Sequence, residues 1–63
     1  MSHDEKIRKL IRKLKTDAED LYQLVDMLKE EYEREEDTSY IMENILTVKD
    51  DIIKTTNTLK KEV

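Results

Sequence analysis

The stretch EEYEREEDTSY, residues 30–40, separates two apolar patterns that are out of phase with each other. Apolar residues recur at spacings of four and three from Ile7 to Tyr32, near the start of the stretch, and after the stretch the same alternation restarts at Ile41. One continuous helix would instead place core positions at 35, 39 and 42. A restart at Ile41 is one residue, or about 100°, out of phase. The chain is therefore expected to turn within this stretch.

The residues of the turn are polar, and three of them suit the start of a second helix. Asp37, Thr38 and Ser39 are all residue types that cap helix N-termini. We predict one domain over residues 1–63, with a helix at about 3–36, a turn at about 36–39 and a helix at about 39–61. The chain has no Gly, the commonest helix stop, so a single long parallel coiled-coil rod is the alternative.

The composition favours an all-α fold that associates. Gly and Pro are both absent, although strand-rich folds need them at turns. Sixty-three residues bury little surface, and without cysteine no disulfide can compensate. We therefore predict a helical hairpin that dimerises into an antiparallel four-helix bundle.

The apolar stripes define the predicted oligomer interface. Leu10 and Leu24 widen the first stripe, and Met42, Leu46 and Ile53 widen the second, which is typical of a helix with two neighbours. The interface is predicted to comprise Ile7, Leu10, Ile11, Leu14, Ala18, Leu21, Val25, Leu28, Tyr32, Ile41, Ile45, Val48, Ile52 and Leu59. Poor helix propensity over residues 55–58 predicts fraying there unless Leu59 is held by packing.

Charge is distributed unevenly along the chain. Residues 1–15 carry six basic and two acidic side chains, a net of +4, and residues 16–37 carry two basic and ten acidic, a net of −8. Hairpins packed antiparallel would place these opposite charges side by side. A turn at 36–39 would also leave Ile7, Leu10 and Ile11 overhanging the shorter second helix.

Two charged clusters are candidate binding surfaces. A basic amphipathic segment could contact a polyanion or an anionic membrane through Lys6, Arg8, Lys9, Arg12 and Lys13. An acidic cluster could attract a basic partner through Glu30, Glu31, Glu33, Glu35, Glu36 and Asp37. The overall charge of −4 disfavours nucleic acid as the main ligand.

Catalytic chemistry finds no support in the sequence. With His3 as its one histidine and no cysteine, the chain offers no catalytic set, no metal site and no cofactor motif. No apolar run is long enough to span a bilayer, and we expect a cytoplasmic protein. We predict a small, self-associating, non-enzymatic protein that regulates or inhibits a partner protein through a helical surface. The alternatives are a dimeric RNA- or DNA-binding bundle and a peripheral membrane helix.

Overall fold

The computed structural model describes residues 3–63, which form two antiparallel helices and contain no strand. Helix α1 spans His3–Glu33 and helix α2 spans Ser39–Glu62. They pack against each other along a rod of 49 × 14 × 14 Å. The prediction of an all-α helical hairpin is confirmed, and the chain does not form the continuous rod. Serine is a residue type that caps helix N-termini, and Ser2 directly precedes α1 in the sequence but lies outside the described residues.

Helix α1 ends in a Schellman motif built without glycine. The amide of Glu36 donates to the carbonyl of Glu31 at 3.0 Å, and the amide of Glu35 donates to the carbonyl of Tyr32 at 3.1 Å. Glu35 adopts the left-handed conformation that this motif needs, with φ of 60°. α1 therefore ends at Glu33, earlier than the expected boundary near residue 36.

The carboxylate of Asp37 caps the first turn of helix α2. Oδ1 of Asp37 accepts hydrogen bonds from the amide of Ser39 at 3.0 Å and from its hydroxyl at 2.7 Å. Thr38 occupies the N-cap position without a side-chain capping bond. Asp37 thus satisfies an amide of the first turn of α2, which otherwise has no intrahelical partner.

The contact between the helices is formed by leucine rows from α1 and β-branched residues from α2. The least exposed positions of α1 follow spacings of three and four, and they are Ile7, Leu10, Leu14, Asp17, Leu21, Leu24, Leu28 and Glu31. Those of α2 include Ile41, Ile45, Val48, Ile52, Thr55 and Leu59. Ile41 is fully buried, at 0% exposure. Asp17 and Thr55 are also buried and interrupt the apolar rows with polar groups.

The open end of the hairpin lacks the long overhang expected from the sequence. Because α1 ends about three residues early, α2 reaches further along it, by about 4.5 Å. Glu62 contacts both His3 and Lys6, so the last turn of α2 lies beside the first turns of α1. Ile7 and Leu10 are accordingly partly buried.

The threonine-rich part of α2 remains helical to Glu62. Thr55 is buried, and the hydroxyl of Thr58 donates to the carbonyl of Lys54 at 3.0 Å. Leu59 is partly buried. The sequence predicts fraying over residues 55–58 unless packing holds Leu59. Because Leu59 packs and the helix continues, packing outweighs the poor helix propensity of these residues.

Candidate interaction surface

One row of apolar residues on α1 lies outside the contact between the helices. Ile11 is 52% exposed, Val25 is 50% exposed and Tyr32 is 75% exposed. Ala18, the remaining member of the row, is exposed as well. All four belong to the predicted oligomer interface, and none is used to join α1 to α2. The hairpin closes on the neighbouring rows of α1 instead.

Helix α2 also leaves one flank of its apolar stripe uncovered. Met42, Leu46 and Ile53 are 42%, 43% and 48% exposed. They lie beside the buried row that begins at Ile41. All three widen the apolar stripe in the sequence, but they are not among the predicted interface residues. The sequence feature that could have placed them in the interface is their own helical spacing, of four and then seven residues, beside the row that begins at Ile41.

The groove on the other side of the hairpin shows which flanks lie together. It has a volume of about 300 Å³ and is lined from α1 by Asp20, Gln23 and Met27, and from α2 by Asn44 and Thr47, over a floor of Leu24 and Val48. These residues stand on the opposite flanks from Val25 and Leu46. The two exposed apolar flanks must therefore share the remaining side of the hairpin.

We call this side the apolar face. It comprises Ile11, Ala18, Tyr22, Val25 and Tyr32 from α1, with Met42, Leu46 and Ile53 from α2. The side with the groove is the polar face. Scattered exposed apolar residues are normal on a soluble protein, whereas a continuous group along two helices marks an interaction surface.

The polar face is tied together by charged and hydroxyl groups. Nζ of Lys13 lies 3.0 Å from Oδ2 of Asp17, and this hydrogen bond raises the pKa of Lys13, with nearby Asp51 adding to the effect. Near the turn, the hydroxyl of Tyr40 donates to Oε1 of Glu31 at 2.7 Å, which raises the pKa of Tyr40. On the polar face, these charged and hydroxyl groups are therefore paired with other residues of the same chain.

At the open end of the hairpin, the Glu62 carboxylate contacts two residues of α1. Nζ of Lys6 donates to Oε1 of Glu62 at 2.6 Å, and this bond lowers the pKa of Glu62. The His3 ring places Nδ1 at 3.3 Å from Oε2 and Nε2 at 2.9 Å from the carbonyl oxygen of the same residue. Glu62 therefore joins the two ends of the chain.

The basic residues proposed to contact a polyanion do not form one surface. Lys6 and Lys13 point toward the polar face, where each is paired with a carboxylate. Arg8 stands at the edge of the apolar face, and Arg12 stands on the side of α1 away from α2. The structure thus distributes the five candidates around α1.

The acidic cluster divides between structural and exposed positions. Glu31 is bonded to Tyr40, and Asp37 is bonded to Ser39, which lowers the pKa of Asp37. Glu33, Glu35 and Glu36 line a shallow concavity at the turn together with Tyr32, while Glu30 is exposed on α1. The turn end of the rod is therefore strongly acidic.

Among residues 3–63, no group of three or more His, Cys, Asp and Glu is placed to hold a metal ion. Neither described helix is long and apolar enough to cross a membrane.

Comparisons with protein-family models, with curated proteins and with solved structures gave no match.

Proposed function

We propose that the protein is a non-enzymatic interaction protein that regulates or inhibits a partner protein by docking its apolar face against it. The observation that carries this proposal is the continuous exposure of Ile11, Val25, Leu46 and Ile53 along one side of the hairpin. Burying a whole apolar side chain of this size contributes about 1.5–3 kcal/mol, and because these four are already about half covered, a partner would add about half of that for each one. A bound helix would supply this burial.

A helical peptide of defined composition provides the test. The peptide has about four heptads with leucine at positions a and d, and its binding is followed by fluorescence anisotropy. We expect the double variant Val25→Gln/Ile53→Gln to bind it at least about tenfold more weakly than the unchanged chain. Met27→Gln is the matched control, since Met27 is 41% exposed on the polar face. Equal losses in both variants would contradict the assignment of the face.

A second copy of the chain is the alternative occupant of the apolar face. The observation favouring it is the separation of charge along the hairpin, with lysines and arginines at the open end and glutamates at the turn. An antiparallel pair would place these ends side by side in a four-helix bundle. Sedimentation equilibrium across a range of concentrations tests this dimer, and a mass that stays monomeric at millimolar concentration would exclude it.

Nucleic-acid binding and membrane binding remain proposals with their own tests. Nucleic-acid affinity should fall linearly with salt on logarithmic axes, in proportion to the phosphates contacted. The distribution of Lys6, Arg8 and Arg12 around α1 provides no continuous track for a phosphate backbone. Membrane binding should appear as association with anionic vesicles.

A further inference from the structure

The apolar face carries positive charge and no negative charge along most of its length. Between Arg8 and Tyr32 on α1, and between Met42 and Lys60 on α2, the exposed rows on this side contain only apolar, small polar and basic residues. We call the basic members the cationic rim, and they are Arg8, Lys15, Lys29, Lys49 and Lys60.

The carboxylates of the same segments lie on the other sides of the helices. Glu19 and Asp26 stand on the side of α1 away from α2, and Glu43 and Asp50 stand on the side of α2 away from α1. The rim is therefore cationic even though the whole chain has a net charge of −4. The net charge of the whole chain therefore does not reveal the positive charge of the rim.

The cationic rim is largely unneutralised within the chain. Lys49 lies 3.9 Å from Oδ1 of Asp50, at the edge of ion-pair range, and both side chains are mostly exposed. Within residues 3–63, the structure shows no ion pair for Lys15, Lys29 or the other rim residues. An incoming group could pair with Arg8, Lys15, Lys29 and Lys60 without displacing an ion-pair partner among the described residues.

The shape of the apolar face suits a third helix. Ile11, Ala18, Val25 and Tyr32 repeat every seven residues, which is the spacing with which one helix packs lengthwise against another. The small side chain of Ala18 lies within this row and allows close approach. On the same side, α2 supplies Met42, Leu46 and Ile53, with Lys49 and Thr56 among them, so apolar residues of both helices border this exposed surface.

From this arrangement we propose that the partner segment is an acidic amphipathic α-helix of another protein. Its apolar stripe would lie along the apolar face, and its flanking glutamates or aspartates would face the cationic rim. The inference rests on the proposed function, because it names the chemistry of the partner that the apolar face receives. Charge complementarity of this kind contributes mainly to specificity and to the rate of association.

The other two occupants fit the charges less well. A second copy would bring its own five rim cations to the same interface, and carboxylates border its apolar face only at the turn, where Glu33, Glu35 and Glu36 lie beside Tyr32. An anionic membrane favours a helix with lysine and arginine on its polar side and bulky Trp, Phe or Leu on the other. Here the side of α1 away from α2 carries Glu19, Asp26 and Glu33, and the apolar face lacks Trp and Phe.

Two synthetic helices and the full chain are enough to test the proposal. Both peptides have leucine at a and d of about four heptads, and one has glutamate at the flanking positions whereas the other has lysine. We expect the glutamate peptide to bind at least about tenfold more tightly and to lose affinity as salt rises. The double variant Lys15→Glu/Lys49→Glu should reverse the preference. Lys9→Glu/Lys54→Glu, which makes the same charge change away from the apolar face, should preserve it.

Each remaining result has a defined meaning. If the two peptides bind equally and Val25→Gln/Ile53→Gln weakens both, the acidic partner is overturned while docking on the apolar face stands. If neither peptide responds to Val25→Gln/Ile53→Gln, both proposals fail. Tighter binding to vesicles of phosphatidylcholine and phosphatidylglycerol than to the glutamate peptide would overturn this proposal in favour of a membrane. A stable dimer that excludes the glutamate peptide would overturn it in favour of a second copy.

Discussion

The hydroxyl of Tyr40 donates a 2.7 Å hydrogen bond to Oε1 of Glu31, which joins the last turns of α1 to the first turn of α2. The bond spans the turn between the helices, on the polar face. The nearby carboxylates raise the pKa of Tyr40, with the hydrogen bond to Glu31 as the largest cause. Folding therefore favours the neutral phenol.

Replacing Tyr40 by Phe tests this link, because the ring is kept and the donor is lost. At about pH 7 the Tyr40→Phe variant should unfold at a slightly lower urea concentration than the unchanged chain. A raised pKa contributes stability that is present below the unfolded value of 10.0 and is lost as pH rises through the folded value. The difference should accordingly shrink as the pH rises above 10.0. Tyr22→Phe, at an exposed position on the apolar face, should show no such change.

Ile41 should be among the most sensitive positions of the hairpin. It is fully buried at the start of α2, where its side chain packs against α1. Ile41→Ala should lower the free energy of unfolding by about 2–5 kcal/mol, from lost burial and the cavity left behind. Urea unfolding followed by circular dichroism measures the change. Ile53→Ala removes the same atoms from a site that is 48% exposed, and an equal loss there would contradict the assigned core.

A glycine at position 35 should stabilise the turn. Glu35 has φ of 60°, a conformation that is unfavourable for residues with a Cβ atom and freely accessible to glycine. Glu35→Gly should raise the free energy of unfolding by about 1 kcal/mol, less the entropy that glycine adds to the unfolded chain. Glu36→Gly is the control and should not stabilise, since Glu36 has no positive φ. A higher melting temperature for both variants would point to a general effect of lost charge.

The two helices and the break between them were predictable from the sequence because the apolar pattern shifts by one residue across the turn. Which rows of α1 face α2 was not predictable from the sequence. Three adjacent rows of α1 contain apolar residues, and one neighbouring helix can cover only about two of them. The choice leaves Ala18 exposed and buries Asp17, which no ranking by hydrophobicity would select. It depends instead on how α2 packs and on the pairing of Asp17 with Lys13.

The site was less predictable than the fold for the same reason. A stripe read along one helix does not reveal which residues of the other helix share its exposed side. Met42 and Leu46 join Val25 on the apolar face only once the hairpin is closed. The cationic character of that face is equally hidden, since Lys15 and Lys49 are far apart in the sequence and each has a carboxylate, Asp17 or Asp50, within two residues.

Acid should weaken the hairpin at both ends. Hydrogen bonds from Ser39 lower the pKa of Asp37, and the hydrogen bond from Lys6 lowers the pKa of Glu62. A lowered carboxyl pKa contributes stability that is present above the unfolded value, here 3.8 for Asp37 and 4.5 for Glu62, and is lost as pH falls through the folded value. The double variant Asp37→Asn/Glu62→Gln lacks both charges at every pH. Its urea midpoint should lie below that of the unchanged chain at about pH 7, and the two should converge as pH falls toward about 2. A gap that stays constant over this range would show that neither carboxylate stabilises the fold through its charge.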